Sequence, residues 1–289
     1  MADNNAASFW TDEQWSQIRQ AIAEEMRAAR VAGNVLPIVG PLEPDESVAP
    51  MLTLLDPADP RSEVKGLSVE DTTTLKLPTL QVKVFLRQSQ VADPGLEAAL
   101  FAFRRAANVL AHLEDAIVFK GQGALPPGYT AQGGAEILGG ETVKGLQVIE
   151  PGQSSSSAPK DNPNLGERLV SAVSDAVGAL ERRFQTGPFA CVLGANYFKA
   201  VQSPNTSLVL PQDRILPFLN GGPLVRSSAL EPDAGLVIAL GGAPIDLVIA
   251  TDATVEFLQT TQEAWFLFRV YEKMVLRVKD PKAVQHLKA

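Results

Sequence analysis

The sequence predicts an α+β fold in which one long helix covers an antiparallel sheet. The sheet is read from the closing stretch Gly242–Pro281, where three strands follow in close succession: Ile245–Ala250, Thr254–Gln259 and Glu263–Lys279. The third is long and rich in aromatic and β-branched residues, which suit a pleated, half-buried surface. Its alternation places Phe266, Phe268, Val270, Met274, Leu276 and Val278 on one face, kept in phase through Glu272. The opposite face, from Trp265 to Lys279, is mixed. An antiparallel sheet with one apolar face needs a cover, and Asp93–Lys120 supplies it. Leu96, Leu100, Phe103, Ala107, Leu110, Leu113 and Ile117 recur at steps of three and four, the stripe of a helix. Asp93 is placed to cap it, Pro94 suits its first turn and Gly121 suits its end.

The other elements follow along the chain. Residues 1–8 have the small, polar composition of a disordered terminus. Thr11–Arg30 predicts an amphipathic helix, opened by a capping box of Thr11 and Gln14, with Trp15, Ile18, Ile22 and Met26 as its stripe. Such a stripe ordinarily packs into a core; near a terminus it can also dock a partner. Val31–Pro60 is proline-rich and irregular, and Glu63–Gln90 suggests two strands of a long hairpin. Its first arm, Leu67–Leu75, is polar and Thr-rich. Its second, Leu77–Leu86, alternates better, with Pro78 marking an edge. A long hairpin with little to bury it is a liability unless a neighbouring subunit pairs with it, so the sequence already points to an assembly.

Gly121–Pro163 is rich in Gly, Pro and Ser, most linker-like at Gln153–Lys160, and marks a boundary. Beyond it, Asn164–Phe184 has a helical stripe of Leu165, Leu169, Val173, Ala176 and Leu180. Phe189–Leu193 is a buried strand, Asn196–Val201 a short helix, Ser203–Pro223 a loop-rich stretch, and Val225–Ser228 and Leu236–Leu240 are further strands.

Composition narrows the function. The chain has 289 residues, 45% hydrophobic and 20% charged, with a net charge of −8 and no basic cluster, which argues against nucleic acid as a partner. The single cysteine, Cys191, allows no internal disulfide and no cysteine-based zinc site. No basic segment leads into an apolar run at the N-terminus, and the most apolar window, Gly235–Ala250, is broken by Gly241, Gly242, Pro244 and Asp246. The expectation is a reduced, cytoplasmic protein with no membrane contact.

The search for chemistry finds no active site. Of the two histidines, His112 lies on the long helix with Asp115 three residues on, and His286 lies in the tail. No metalloprotease, hydrolase-elbow or phosphate-loop motif occurs, and Gly121-Gln122-Gly123 is followed three residues later by Pro126 rather than by a dinucleotide-type glycine. Glu114 and Asp115 are neighbours on a helix, where side chains point apart. The Glu-x-x-His repeats of a di-iron site are missing. The expectation is a non-enzyme without cofactor or metal.

The ordered pieces resemble the encapsulins, shell proteins of bacterial and archaeal nanocompartments that share the HK97 capsid fold of tailed phages. Thr11-x-x-x-Trp15-x-x-Ile18 is similar to the family's opening helix, and Val39-Gly40-Pro41 to the step that follows it. Glu114-Asp115-Ala116-Ile117-Val118-Phe119-Lys120-Gly121 resembles the acidic pair, aliphatic, Phe and Gly pattern that ends the family's spine helix. Gly187-Pro188-Phe189 and Asp280-Pro281-Lys282-Ala283 resemble the starts of the central strand and of the closing segment. The resemblance spans nearly the whole chain.

It implies a P-domain begun by residues 1–49, an extended E-loop at 50–90, the spine helix within 91–135, an A-domain at 136–232 and a C-terminal P-domain sheet at 233–289. It implies an icosahedral homo-oligomer enclosing a cargo enzyme, a ferritin-like iron-oxidising protein or a dye-decolourising peroxidase, held by the cargo's C-terminal targeting peptide. By position, Ile22, Met26, Val35, Ile38, Val255 and Phe257 are the implied peptide-binding residues, and Asn205, Gln212 and Asp213 the implied pore lining. Some encapsulins bind flavin beside a tryptophan near the E-loop base; this chain has no tryptophan between Trp15 and Trp265, so flavin is not carried over. The alternative within the fold is a prophage major capsid protein that packages DNA, against which stand the acidic balance and the opening helix. A third alternative, an enzyme in its own right, lacks a nucleophile and base.

Overall fold

The computed structural model describes residues 9–43, 46–57, 59–62, 64–125, 134–140, 142–149, 164–204 and 209–287. The expected terminal disorder at 1–8, the linker at 153–160 and the pore residue Asn205 lie outside the described residues.

The first helix, α1 (Asp12–Ala29), begins with the anticipated capping box. The Gln14 backbone N–H donates to the Thr11 hydroxyl at 3.3 Å, and the Thr11 N–H donates to the Gln14 side-chain oxygen at 3.0 Å. A short helix, α2 (Ala32–Val35), follows where an irregular chain was expected. Then come β1 (Ile38–Val39), β2 (Val48–Pro50), β3 (Thr53–Leu55), β4 (Ser68–Glu70), β5 (Thr74–Lys76) and β6 (Thr79–Arg87). β2 pairs with β5 and β3 with β4, each a separate two-stranded ribbon. β6 is not part of a free hairpin. It runs inside the main sheet between β12 (Trp265–Val278) and β7 (Ala135–Leu138), and its inward residues Leu80, Val82, Val84 and Leu86 are buried.

After α3 (Gln88–Val91) comes the spine helix α4 (Glu97–Lys120), about 36 Å long. It starts later than its stripe suggested, because Asp93 folds into a turn. One Asp93 oxygen accepts the Gly95 N–H and the other the Glu97 N–H, at 3.1 and 3.0 Å, while Leu96 adopts a left-handed conformation. Gly121 ends the helix at φ +88°, where a Cβ would stand 2.5 Å from the backbone nitrogen of Gly145.

The closing strands form a bent hairpin. β11 (Ile245–Thr260) is continuous across the two expected strands, with register shifts between Ile249 and Thr254, and pairs with β12. The five-stranded sheet runs β1-β11-β12-β6-β7, and its apolar face, including Phe268, Val270, Met274 and Leu276, packs under α1 and α4 as the alternation anticipated.

The second sheet departs from the expected boundary at 232/233. Its order is β13-β10-β8-β9, with β8 (Phe189–Leu193), β9 (Leu224–Arg226), β10 (Gly235–Ala239) and β13 (Val284–Leu287). Both β10 and β13 therefore leave the main sheet, and the last strand returns to pair with β10. β7, a strand the sequence did not announce, lies where the second region was expected to start and pairs instead at the edge of the first sheet. Helices α5 (Leu165–Glu181), α6 (Ala195–Gln202) and α7 (Pro211–Ile215) pack beside the second sheet.

Candidate functional site

The N-terminal lobe brings most of the implied peptide-binding residues together, but largely inside the protein. The stripe of α1 faces α4, so Ile22 and Met26 are buried. Val35 on α2 and Val255 on β11 are buried in the same core. These four show little surface to solvent; an amphipathic helix with a spine beside it packs its stripe onto that spine. Phe257 is half-buried and meets Phe9 edge to face at 5.3 Å. Ile38 alone of the six is open to solvent, 42% exposed, with Val39 beside it at 37%.

Ile38 and Val39 form β1 at the end of the main sheet, parallel to Leu247 and Val248 of β11, so the other side of β1 is a strand edge. The Leu247 N–H donates to the Pro37 carbonyl at 2.9 Å and the Leu42 N–H to the Ile249 carbonyl at 3.1 Å. Between them Gly40 adopts φ +131°, where a Cβ would stand 2.1 Å from the Ile249 carbonyl oxygen. Only glycine fits there.

An aromatic cluster pins the segment that leads into α1. Trp10 stacks on Phe268 at 5.1 Å and an interplanar angle of 17°, and its indole N–H donates to the Val91 carbonyl at 2.9 Å. Phe9, Trp15, Phe103 and Phe257 surround the same Phe268 ring. Phe9 and Trp10 were not singled out from the sequence, where they sit beside the polar terminus.

A buried polar cluster lies below this lobe. Asp115 accepts from the backbone N–H groups of Val31 (3.0 and 3.1 Å to its two oxygens) and Ala32 (2.7 Å), and Glu114 accepts from Gly33 at 3.1 Å. Neighbours on one helix thus both reach the amide groups that open α2, contrary to the expectation that they diverge, because α2 begins directly over the spine. Arg30 lies 3.8 Å from Glu114 and 3.8 Å from Asp252. Glu272 sits in the apolar face of β12 with no exposed surface. Burial, followed by the Asp115 charge, pushes Glu114 up to about 7. Burial pushes Asp115 up to about 7 against its backbone donors. Burial, followed by the Glu114 charge, holds Glu272 well above the usual carboxylate range. The visible signal in the sequence was Glu272 interrupting an apolar phase.

The other sites are simpler. Gln212 and Asp213 lie on α7, Gln212 accepting from the Gln202 side chain and Asp213 exposed. Its neighbour Arg214 is paired with Glu167. His112 is exposed, and Asp115, turned to α2, does not face it. His286 is half-buried rather than exposed, on β13 with its ring nitrogen 3.1 Å from the Leu146 carbonyl oxygen. Cys191 is buried, and burial raises its thiol far above the usual value. Among the described residues no group of three or more His, Cys, Asp and Glu side chains is arranged to hold a metal ion, and no helix is long and apolar enough to cross a membrane.

Among solved structures, a virus-like particle from Pyrococcus furiosus is similar over 95% of this chain and 99% of that chain, with a TM-score of 0.66 and 16% identity. The capsid of the Myoviridae phage XM1 is similar over 89% and 90%, with a TM-score of 0.58 and 12% identity. Both likenesses show the HK97-type capsid fold and no more. The type 1 encapsulin shell protein EncA of Myxococcus xanthus (strain DK1622) is 23% identical over 282 residues, 94% of this chain and 91% of that protein. The sequence profile of the family described as "Encapsulating protein for peroxidase" (Linocin M18) matches residues 5–275, and the chain therefore belongs to this encapsulin family.

Proposed function

We propose that this chain is the shell subunit of an encapsulin nanocompartment, many copies of which close into an icosahedral particle around a cargo enzyme. The observation that carries the reading is the pair of two-stranded ribbons, β2–β5 and β3–β4, in a chain of this family. An isolated two-stranded ribbon is marginal in water; β2–β5 rests on the main sheet through Ala49 and Leu75, whereas the outer part of the arm exposes Val64, Leu67 and Val69. Such an arm gains its cover from a neighbouring subunit, as the E-loop (50–90) of a capsid does. Spine helix and main sheet form the P-domain, and the second sheet with α5, α6 and α7 forms the A-domain, joined by β10 and β13.

The cargo is a ferritin-like iron-oxidising protein or a dye-decolourising peroxidase, which places the particle in iron storage or the defence against oxidative stress. The family's description favours the peroxidase. The cargo's C-terminal peptide docks at the Ile38–Val39 edge, where its backbone can add as a strand and its apolar side chains can lie on Ile38, beside the lobe of α1. Asp213, exposed on α7, lines a pore and favours cations when repeated around an axis. The shell itself performs no catalysis.

The test is electron microscopy of the protein purified from its native host, with mass spectrometry of what co-purifies. Hollow, uniform particles containing a peroxidase or a ferritin-like protein would support the reading. Particles filled with nucleic acid would establish a phage capsid, and a monomer would overturn the shell. An Asp213→Ala shell with unaltered iron uptake would remove the pore assignment.

A further inference from the structure

We propose that Glu272, sharing one proton with Glu114 beneath Arg30, is a latch that seats the N-terminal lobe on the spine helix and loosens it as the pH rises. The starting point is the misplaced carboxyl. Strand alternation puts Glu272 between Val270 and Met274 on a face that is otherwise apolar, opposite Leu80 of β6. A carboxylate placed there without a partner is costly.

The charges around it do not balance. α1 contributes Arg30 at its C-terminal cap, α4 contributes Glu114 and Asp115, β11 contributes Asp252, and β6 presents only Leu80. α2 contributes backbone N–H groups to the two spine carboxyls. Asp115 is satisfied by those amides and Asp252 is 66% exposed to water. Glu114 and Glu272 are left to share Arg30, whose nearest approach to Glu114, 3.8 Å, is within ion-pair range but too long for a hydrogen bond.

Among the described residues neither oxygen of Glu272 meets a donor, and the same holds for Oε2 of Glu114. The Glu114 charge acts on Glu272 in this pocket, and two carboxylates can only accept. One proton changes that. Protonated Glu272 donates to Glu114, and the pair then carries a single negative charge against the single positive charge of Arg30. Glu272 is the member that keeps the proton, since Glu114 also accepts from Gly33.

The direction follows from the folded protein holding a proton that the unfolded chain releases. Both carboxyls are raised in the fold, so the stability they confer is complete at low pH, below the ordinary Glu value near 4.5. It is lost as the pH climbs through the folded values, about 7 for Glu114 and well above the ordinary carboxylate range for Glu272. Loss of the proton puts two buried negative charges together at the place where Arg30 and Gly33 tie α1 and α2 to the spine. The lobe released includes β1, so the device also governs the edge at Ile38–Val39.

Hydrogen–deuterium exchange of the assembled protein, corrected for the intrinsic pH dependence of exchange, tests this from about pH 6 to about pH 9. The expected result is a loss of protection of about tenfold or more across 12–39 in the unsubstituted protein, corresponding to one unit or more of pKa difference. Glu272→Gln, a permanently neutral donor, should reduce the pH dependence to the part that Asp115 contributes. An identical pH profile in both proteins would overturn the latch. Should Glu272→Gln fail to fold, infrared spectroscopy of the unsubstituted protein decides. A buried carboxylic-acid band that disappears in step with protection supports it; a band absent at about pH 6, or one that persists while protection falls, refutes it.

Discussion

Phe268→Ala is the most direct probe of what holds the N-terminal lobe in place. Phe268 has no exposed surface and is ringed by Phe9, Trp10, Trp15, Phe103 and Phe257 at centroid distances of 5.8, 5.1, 6.3, 5.5 and 5.4 Å. Truncation removes the ring on which Trp10 stacks, and the surrounding rings are held by one another and by the Trp10–Val91 hydrogen bond, so the hole closes poorly. Buried Phe→Ala changes cost about 3–5 kcal/mol; the lost stacking and edge contacts, about 0.5–1.5 kcal/mol each and not additive, put this one at the upper end. At about 2 °C or more per kcal/mol for a chain of this size, the melting temperature should fall by roughly 6 °C or more. Thermal unfolding followed by near-ultraviolet circular dichroism reads this, and the same signal reports Trp10 and Trp15 directly. Phe184→Ala is the control: the same atoms leave a side chain that is 94% exposed, for a change within about 0.5 kcal/mol. Equal shifts for the two substitutions would refute the argument that this cluster anchors the lobe.

Two further predictions concern the ends of the main sheet. Gly40→Ala forces a Cβ against the Ile249 carbonyl at a φ that other residues rarely adopt, and should cost at least about 1–3 kcal/mol, read as a lower melting temperature; a melting temperature equal to that of the parent would contradict the close approach. Arg277→Met should cost about 3 kcal/mol or somewhat more, because Arg277 donates to both oxygens of buried Asp246 at 2.9 Å and Lys279 alone would remain to balance it. Its third bond, to the Pro50 carbonyl at 3.2 Å, ties the base of the E-loop arm to the sheet. Limited proteolysis should therefore cut faster between residues 51 and 76 in the variant, and unchanged cleavage would show that the arm is held otherwise.

The fold was legible wherever periodicity and burial agree. The spine helix, the capping box of α1, the buried β8 and the apolar face of β12 all follow from residue spacing, because each has one face to bury. What the spacing could not convey was partnership between distant segments. β6 reads as an arm of a free hairpin because its alternation is the same in an edge strand and in an inner one; only the pairing with β12 and β7 makes it internal. The resemblance put residues 233–289 into the closing sheet, and the strand of the tail was not anticipated, yet β10 and β13 pair with each other and β10 with β8. The implied docking residues are separated only by the fold. Ile22, Met26, Val35 and Val255 are apolar for the reason any core residue is, and nothing in their own spacing distinguishes a groove from a core. Ile38 differs by lying on a two-residue strand at the end of the sheet, a property of topology.

Glu272 shows where a local rule broken in sequence carries more information than one obeyed. Any aliphatic residue at that position would complete the apolar face and stabilise the sheet, so a carboxyl there is a loss of stability that the fold tolerates. Its neighbours explain the tolerance: Arg30 closes α1, Glu114 belongs to the motif that ends the spine helix, and Gly33 opens α2. Three regions that are far apart in the chain meet at one group whose charge depends on a proton. A purely apolar contact would hold the lobe equally well at every pH. The carboxyl makes the hold conditional, and it does so behind the only strand edge of the main sheet that carries two adjacent exposed aliphatic side chains among the described residues.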